Sequence, residues 1–463
     1  MAVGKISEGS VYYDKPSKIN NFLSRKRMKP IKVGLLGLGT VGYGAFRVLA
    51  RNQEEIQRRA GRCIDVTKVA VRNVERAGKL VDGVCEVTDN PLNVVMDPEI
   101  DIVVETIGGD DPTLELVLKA IDNGKHVVTA NKALLAVHGN EIFTAARKAN
   151  VMVAFEAAVA GGIPIIKALR EGLTANRIQW IAGIINGTTN FILSEMREKG
   201  LDFDVALQDA QRLGYAEADP TFDIEGVDAA HKATIMSAIA FGVPVQFNKA
   251  YVEGISKLSS IDIKYAEELG YRIKLLGITR RTDIGIELRV HPTLILAKRL
   301  IANVEGVMNA VLVHGDAVGA TMYYGKGAGA EPTASAVIAD IVDITRLHTA
   351  DQENRVPYLA FQHDALSSMP VLPIEQIRTS YYLRLRVADQ TGVLAEITRI
   401  LANQNISIDA LLQKESREGE PQTDIIILTH ETQEKFINSA ISCIEALDTV
   451  FSQVTRIRME TLS

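Results

Sequence analysis

The sequence predicts an α/β fold in three parts: a doubly wound parallel sheet, a middle α+β domain and a C-terminal ferredoxin-like domain. Three observations predict it. From residue 31 onward, short apolar runs alternate with segments of helical period, which is typical of a parallel sheet with helices on both faces. From residue 157 onward, longer helical segments separate the strand-like runs. From residue 380 onward, the order is strand, helix, two strands, helix and strand, which is the ferredoxin-like order.

Length and composition fit a soluble protein of two or three domains. The 463 residues exceed the ~100–200 of a single domain. A composition with 47% hydrophobic and 23% charged residues argues against a largely disordered chain or a fibre. A net charge of −6 argues against nucleic acid as a partner. The three cysteines lie far apart, and no run reaches the ~20 apolar residues of a membrane span. We expect a cytoplasmic protein that binds neither nucleic acid nor membrane.

A glycine-rich turn follows the first predicted strand, Ile31–Leu36. Gly37, Gly39 and Gly42 stand in the sequence GLGTVG, directly before the helical stretch Tyr43–Arg59. Glycines at this spacing keep the turn tight and let the backbone approach a pyrophosphate, which the N-terminus of the following helix favours. The flanking strand and helix make the motif specific, so we expect a dinucleotide in a Rossmann-type domain. A merely structural turn is the alternative.

The end of the second predicted strand, Val66–Val71, bears on the choice of coenzyme. An acidic residue normally holds the ribose hydroxyls of NAD at this place, but here the strand runs into Arg72. A guanidinium favours the 2′-phosphate of NADP. Asp65 and Glu75 are near enough in sequence to keep NAD as the alternative.

Further strands are predicted at Ile102–Glu105, His126–Thr129 and Val151–Phe155. Lys132 follows the second of these, in the sequence TANK. Ligands of open parallel sheets bind at the carboxyl ends of the strands. We therefore expect Lys132 to face the cofactor, rather than to be a solvated surface lysine.

The middle domain contains a segment dense in carboxylates before the predicted helix Val227–Phe241. The segment GYAEADPTFDIEGVDAAHK includes Glu217, Asp223 and Asp228. Asp228 and Lys232 are four residues apart on one helical face, where a carboxylate can hold an ammonium group or tune its proton affinity. A surface ion pair is the alternative, but it leaves the other two carboxylates unexplained. The cluster suits an amino-acid substrate, with Lys232 as proton donor or acceptor.

Three other turns are candidates for binding. Glu156 precedes the small-residue loop AAVAGGIP, whose carbonyls can converge on a hard cation, or which forms a domain hinge. Residues 186–190, NGTTN, either line a pocket or cap a helix. Residues 325–329, GKGAG, permit close backbone approach to a ligand, and the following helix Pro332–Ile344 is expected to return to the first sheet.

The C-terminal domain follows a proline-containing stretch without periodicity, which is typical of a linker. Its first strand, Tyr381–Val387, alternates leucine with Arg384 and Arg386, which predicts one buried and one wet face. The remaining elements are predicted, in order, at Val393–Asn403, Ile406–Leu412, Thr423–Thr429, Thr432–Ala446 and Val450–Met459.

Seven motifs between residues 30 and 347 together resemble the homoserine dehydrogenase family. They are GLGTVG, ETIGG, TANK, FEAAVAGGIPI, NGTTNFIL, LGYAEADPTFDIEGVDAAHK and GKGAGAEPTASA, in the family's order and spacing. The resemblance implies NAD(P)H-dependent interconversion of L-aspartate 4-semialdehyde and L-homoserine, in threonine, methionine and isoleucine biosynthesis. The C-terminal domain resembles an ACT domain through DQTGVLAEI, which implies a regulatory tail sensing an amino acid such as L-threonine. A domain that only pairs subunits is the alternative.

The resemblance also implies roles for individual residues. Those at the cofactor site are Gly37, Gly39, Thr40, Val41, Lys132 and Gly329, in addition to Arg72, which is predicted from the end of the second strand. Those at the substrate site are Gly214, Glu217, Asp223 and Asp228, with Lys232 and Lys132 as the catalytic lysines. Those where the family binds a sodium ion, mostly through backbone oxygens, are Glu156, Val159, Gly161 and Ile163.

The predicted units are an N-terminal arm (1–29), an NAD(P)-binding Rossmann domain (30–156), a catalytic and oligomerisation domain (157–320), a segment returning to the nucleotide domain (321–347), a linker (348–379) and an ACT regulatory domain (380–463). The resemblance also implies a homodimer or homotetramer, which are the usual oligomeric states of the family. The sequence leaves two competing functions: an amino-acid sensor that has lost its chemistry, and an oxidoreductase acting on a different amino-acid semialdehyde.

Overall fold

The computed structural model describes residues 29–414 and 421–462. The N-terminal arm expected over residues 1–29 therefore lies outside the described residues, apart from its last position. The described residues form one six-stranded parallel sheet and one larger mixed sheet. No helix among them is long and apolar enough to cross a membrane.

The first sheet confirms the doubly wound prediction, because all its neighbouring strands are parallel and follow the order β3-β2-β1-β4-β5-β6. Its strands are β1 (Ile31–Leu36), β2 (Ile64–Ala70), β3 (Glu86–Thr88), β4 (Ile102–Glu105), β5 (His126–Thr129) and β6 (Val153–Ala154). Its helices are α1 (Thr40–Arg51), α2 (Gln53–Ala60), α3 (Val74–Val81), α4 (Leu92–Val95), α5 (Thr113–Asp122) and α6 (Lys132–Lys148).

The helix expected over Tyr43–Arg59 is wrong in two respects. It begins three residues earlier, at Thr40, and Gly39 occupies the capping position before its first turn. It is also divided at Asn52, which ends α1 and precedes α2. Asparagine weakens a helix interior because its side chain competes for backbone hydrogen bonds.

The middle domain supplies one end of the larger sheet. Its strands are β7 (Ile178–Ile184), β8 (Tyr251–Val252), β9 (Tyr271–Arg281), β10 (Ile286–Leu296), β11 (Met308–Gly315) and β12 (Gly319–Lys326). Its helices are α7 (Ile165–Lys167), α8 (Gly187–Lys199), α9 (Phe203–Arg212), α10 (Thr221–Ile224), α11 (Val227–Phe241) and α12 (Ser260–Glu268). Strand β10 is five residues longer than the run Ile286–His291 that its sequence indicates, because it pairs with β9 along its full length.

Helix α11 is the central helix of this domain and matches its predicted bounds. Every residue from Asp228 to Phe241 is buried. The helix packs on α6 of the nucleotide domain and on β9 and β10 of the larger sheet. A helix buried on all sides carries any polar side chain of its first turns into the protein interior.

Helix α13 (Ala330–Leu347) returns to the first sheet and packs against α1. The approach is close: a Cβ atom added to Gly44 of α1 would lie 2.5 Å from the carbonyl oxygen of Ala330. The segment expected to return, residues 321–347, is divided in the structure. Residues 319–326 form β12, which pairs with β11 in the larger sheet, so the return starts only after this hairpin.

The C-terminal domain has the predicted strand–helix–strand–strand–helix–strand order. Its strands are β13 (Arg378–Ala388), β14 (Ile408–Gln413), β15 (Gln422–Thr429), β16 (Thr432–Gln433) and β17 (Thr455–Glu460), and its helices are α14 (Val393–Asn403) and α15 (Glu434–Glu445). Strand β13 begins inside the expected linker 348–379, which otherwise contains three short 3₁₀ turns.

This domain is joined to the middle domain by strand pairing. Strand β17 pairs antiparallel with β13 and, on its other side, parallel with β10. The strand order of the larger sheet is therefore β12-β11-β7-β9-β10-β17-β13-β15-β14. One sheet runs without interruption from the catalytic-type domain into the C-terminal domain.

Candidate active site

The glycine turn after β1 adopts a conformation that requires glycine at two positions. Gly37 has a φ of +97°, in the region that L side chains avoid. A Cβ on Gly42 would lie 2.3 Å from the Gly37 carbonyl oxygen. At Gly39 nothing lies within 4 Å of an added Cβ, so the outer side of the turn is open. Thr40 and Val41 begin α1, whose first turn contains no acidic residue, and its free N–H groups suit a phosphate.

Two other predicted cofactor residues lie at the surface near this turn. Arg72 is exposed, two residues beyond the end of β2. Gly329 has a φ of +122° and precedes α13, which packs against α1 through Gly44. The fold thereby brings a residue nearly 300 positions away to the cofactor helix.

Glu105 is a buried residue that the sequence argument did not assign to the site. Its carboxylate accepts hydrogen bonds from the N–H groups of Ile107 and Gly108, at 2.7 and 3.0 Å, and from the Thr129 hydroxyl at 2.6 Å. It therefore ties together the loops that follow β4 and β5. A carboxylate ending an apolar strand within ETIGG is the signal that could have found it.

Lys132 is the first residue of α6, directly after the capping residue Asn131. Its Nζ lies 3.3 Å from Oδ1 of Asp228 and 5.9 Å from the ring centre of Phe222. Both partners belong to the middle domain. The structure thus brings the two predicted catalytic regions together where α6 packs on α11.

Asp228 and Lys232 form the centre of the cluster. Nζ of Lys232 donates to Oδ2 of Asp228 at 2.6 Å and to the carbonyl oxygen of Ile185 at 2.7 Å. Burial acts to raise the pKa of Asp228, but the Lys232 and Lys132 ammonium groups lower it to about 2. The aspartate is therefore ionised at neutral pH. An ammonium group has three N–H donors, so one donor of Lys232 remains available to a ligand.

Asn186 joins Asp228 to Asp223, a contact that the sequence argument left open. Its Nδ2 donates to Oδ1 of Asp223 at 2.7 Å and to Oδ2 of Asp228 at 2.8 Å. Its Oδ1 accepts from the backbone N–H of Thr189 at 2.8 Å, which caps α8 and fixes the orientation of the amide. The Thr188 hydroxyl lies 2.7 Å from the Tyr215 carbonyl oxygen and 3.0 Å from Oδ2 of Asp223, and its single proton is shared between these two acceptors. The turn therefore both caps a helix and contributes to the site.

Two predicted substrate residues are not part of this contact network. Gly214 and Glu217 lie in the exposed connection between α9 and α10. Among the described residues, no hydrogen bond or ion pair links the Glu217 carboxylate to the lysines. Gly214 has a φ of +76°, which is the reason for glycine at the turn after α9.

His231 was also missed, although it is adjacent to Lys232 on α11. Its ring lies between Phe222 and Phe247, with ring centres 5.4 and 4.3 Å away. Burial lowers the pKa of His231 to about 4, so the ring is neutral at pH 7. The three rings form an apolar wall beside the lysine cluster.

The loop predicted to bind sodium is buried at Val159, Gly161 and Ile163. The carbonyl oxygens of Val159 and Gly161 accept no hydrogen bond from any described residue. Buried carbonyls are nearly always paired, so these two fit a hard monovalent cation. The Glu156 carboxylate does not fit as well, because its two oxygens accept the N–H groups of Ile166 and Lys167, at 2.9 and 2.8 Å.

Comparisons with known families cover the chain nearly from β1 to the last helix. Residues 37–156 match the model described as "Homoserine dehydrogenase, NAD binding domain", and residues 164–342 match that of "Homoserine dehydrogenase". Residues 381–449 match the ACT domain. A homoserine dehydrogenase of Pseudomonas aeruginosa is 62% identical over 436 residues, which are 94% of this chain and 100% of the relative. The chain belongs to the homoserine dehydrogenase family.

Other homoserine dehydrogenases agree with this assignment in sequence and in fold. The enzyme of Neisseria gonorrhoeae is 61% identical over 435 residues, covering 94% of this chain and 100% of its own. The crystal structure of the Thiobacillus denitrificans enzyme has a TM-score of 0.90 and 69% identity, covering 94% of this chain and 99% of that one. A hyperthermophilic archaeal homoserine dehydrogenase solved in complex with NADPH has a TM-score of 0.60 and 28% identity, covering 70% of this chain and all of its own.

Membership in the homoserine dehydrogenase family confirms the predicted family, fold class and type of enzyme. The chain is an NAD(P)-dependent oxidoreductase that acts on a CH–OH group, with nucleotide-binding, catalytic and ACT domains. Among the described residues, no group of three or more His, Cys, Asp or Glu side chains is arranged to hold a metal ion. That finding does not bear on a cation held by backbone oxygens.

Proposed function

We propose that this protein interconverts L-aspartate 4-semialdehyde and L-homoserine, with NADP as the preferred coenzyme, on the route to threonine, methionine and isoleucine. The observation that carries the proposal is the contact of Lys232, Asp228 and Lys132 where the nucleotide-binding and catalytic domains meet. Asp223, held next to Asp228 by Asn186, supplies a second carboxylate for the substrate's ammonium group.

The chemistry follows from the donors of the cluster. When bound, the nicotinamide coenzyme supplies or accepts the hydride at its C4 position. In reduction of the aldehyde, Lys232 donates a proton to the carbonyl oxygen, directly or through water, and Lys132 stabilises the negative charge that develops there. In oxidation of the alcohol, Lys232 in its neutral amine form receives the hydroxyl proton and becomes the ammonium group. Asp228 holds both ammonium groups near this oxygen.

The proposal is tested by following NADP reduction with L-homoserine in the wild type and in Lys232→Met. We expect turnover in the wild type. In the variant we expect kcat to fall by about 10²–10⁴-fold, because a positioned acid–base group contributes a factor of that size. The control is Lys79→Met, which changes an exposed lysine of α3 and should keep wild-type kcat. Circular dichroism checks that each variant is folded.

The two competing functions predict different results in the same assay. A sensor without chemistry binds L-homoserine and shows no turnover in the wild type. An enzyme for another semialdehyde shows a higher kcat/KM with a different ω-hydroxy amino acid, so the assay includes a panel of such alcohols. The intact contact between the two lysines and Asp228 favours catalysis over the sensor.

We also propose a sodium ion at the loop of Val159 and Gly161, with Ile163 and the Glu156 backbone nearby. The buried carbonyl oxygens without a hydrogen-bond partner support it. Exchanging NaCl for choline chloride at equal ionic strength should lower the Tm, because a ligand that binds only the native state stabilises it. An unchanged Tm would remove the ion from the proposal.

The ACT domain is proposed to bind an amino-acid effector, L-threonine, and the chain to form a homodimer or homotetramer in the cytoplasm. The effector proposal is supported by the ACT domain of the chain, which is joined to the catalytic sheet. Adding L-threonine to the assay should lower turnover.

The proposed assembly is tested separately. Light scattering after gel filtration should give two or four times the chain mass, and a monomer would contradict the assembly.

A further inference from the structure

Arg458 of β17 is a fully buried cation at the junction of the ACT and catalytic domains, with 0% of its surface exposed. Its Nε donates to Oε2 of Glu434 at 2.8 Å, within the ACT domain. Its Nη1 donates to Oε2 of Glu253 at 2.8 Å and its Nη2 to the Tyr251 hydroxyl at 3.0 Å, both in the catalytic domain. A buried charge is tolerated only with such partners, so Arg458 fixes the position of Glu253.

Glu253 begins the connection between β8 and α12, and Gly254 and Ile255 follow it. We call residues 253–255 the strap. Its first residue is also fixed through the backbone, because the Glu253 N–H donates to the Val290 carbonyl of β10 at 2.8 Å. The strap is thus held by the catalytic sheet at its backbone and by the ACT domain at its side chain.

The strap presses directly on α10. A Cβ atom on Gly254 would lie 2.4 Å from the Ile224 carbonyl oxygen and 2.5 Å from Cα of Glu225. The Ile255 N–H donates to the same carbonyl oxygen at 2.8 Å. Glycine is therefore required at 254 to let the two backbones touch.

The residue before Ile224 is Asp223, whose carboxylate contacts Asn186 and Thr188. Helix α10 has only four residues and no buried side chain of its own, so its position depends on these outside contacts. The strap contacts the helix at its last residue, Ile224, and at Glu225, which follows it.

We propose that Glu253 and Arg458 are positioning residues for the substrate site: through the strap they hold α10 so that Asp223 meets the ammonium group of the substrate. The inference rests on the proposed function for the identity of that substrate. It assigns a residue of the ACT domain to the support of the substrate site, and neither residue belongs to the sequence-predicted site.

The first test compares Gly254→Ala with Gly172→Ala. The added methyl group at 254 must displace α10, whereas nothing lies within 4 Å of a Cβ at 172. We expect Gly254→Ala to raise the KM for L-homoserine at least fivefold. Its kcat should stay within about twofold and its KM for NADP should not change, because Lys232 and the coenzyme turn do not touch the strap. The control should match the wild type.

The second test is Glu253→Gln, which keeps the shape and an oxygen acceptor but removes the charge opposite Arg458. Arg458 keeps Glu434, so we expect the variant to fold and to raise the KM for L-homoserine about threefold. The control is Glu431→Gln, which changes an exposed acid of the ACT domain. If the folded Glu253→Gln and Gly254→Ala both keep the KM within twofold of wild type, the proposal is overturned.

Hydrogen exchange separates this proposal from the proposed function. Without any ligand, amides of residues 221–226 should exchange at least threefold faster in Gly254→Ala and Glu253→Gln than in the wild type and in both controls. If the wild type does not oxidise L-homoserine, the proposed function fails and this exchange result alone decides the role of the strap. Unchanged exchange in both variants would then overturn it.

Discussion

At the scale of single residues, Asp228 connects the two halves of the candidate site. Its Oδ1 faces Lys132 at 3.3 Å and its Oδ2 accepts from Lys232 at 2.6 Å. The second contact could be predicted from sequence, because residues four apart on a helix share a face. The first could not, because Lys132 and Asp228 meet only when α6 packs on α11, and no local pattern encodes that packing.

We propose that the coenzyme preference also depends on one residue, Arg72, which is exposed beyond β2 and joined to no other described residue by a hydrogen bond or ion pair. If its guanidinium binds the 2′-phosphate, Arg72→Ala removes a charge-assisted contact worth about 1.5–3 kcal/mol. We expect the KM for NADP to rise about tenfold or more, since 1.4 kcal/mol is a factor of ten.

The control for this prediction is NAD, which has no 2′-phosphate, measured on the same variant. The KM for NAD should stay within about twofold of wild type. An equal rise for both coenzymes would mean that Arg72 supports the turn itself. No change for either would move the selection to other residues, including Asp65 and Glu75.

At the scale of elements, the site depends on where α11 and α13 pack. The bounds of α11 could be predicted because glycines precede and follow its apolar run: Gly226 and Gly242 have φ values of +81° and +60° at its two ends. The two-residue strands β8 and β16 could not be predicted. Strands this short have no period to detect, and they form because a neighbouring strand already offers hydrogen-bonding groups.

The return of α13 to α1 can be tested with Gly44→Ala. The new methyl group would lie 2.5 Å from the carbonyl oxygen of Ala330, so the helices must separate. Overpacking of this kind costs about 1–3 kcal/mol. We expect a lower Tm and a higher KM for NADP, because Gly329, which precedes α13, moves with the helix.

The matched control is Gly78→Ala on α3, where nothing lies within 4 Å of an added Cβ. Since alanine favours helix over glycine, this control should keep or slightly raise the Tm. If Gly44→Ala retains the wild-type Tm and KM for NADP, close contact between α1 and α13 is not needed to form the coenzyme site.

At the scale of the whole molecule, buried histidines make stability depend on pH. Burial lowers the pKa of His126 to about 3, and its Nδ1 accepts from the Met152 N–H at 2.8 Å, which requires the neutral ring. The unfolded chain has a histidine pKa near ~6.5. Below that pH the unfolded state takes up a proton that the native state refuses, so stability is lost as the pH falls from 6.5 towards 3.

The loss at pH 5 amounts to about 2 kcal/mol for this one residue. In His126→Asn, whose amide oxygen can still accept from Met152, we expect the Tm to fall less between pH 7 and pH 5 than in the wild type. The exposed His363 gives the control, and His363→Asn should follow the wild-type curve. A His126→Asn curve parallel to the wild type would refute the assignment.

The continuous sheet changes what the linker does for the molecule. Residues 348–377 are the covalent route from α13 to the C-terminal domain, yet β17 is hydrogen-bonded to β10, and Arg458 and Glu460 pair with Glu253 and Arg289 across the same boundary. A protease that cuts the linker at its exposed residues, 351–354 or 361–365, should therefore release neither fragment. The two fragments should co-elute as one particle under native conditions and separate only in denaturant. Two bands on a denaturing gel would therefore not mean that the native particle has come apart.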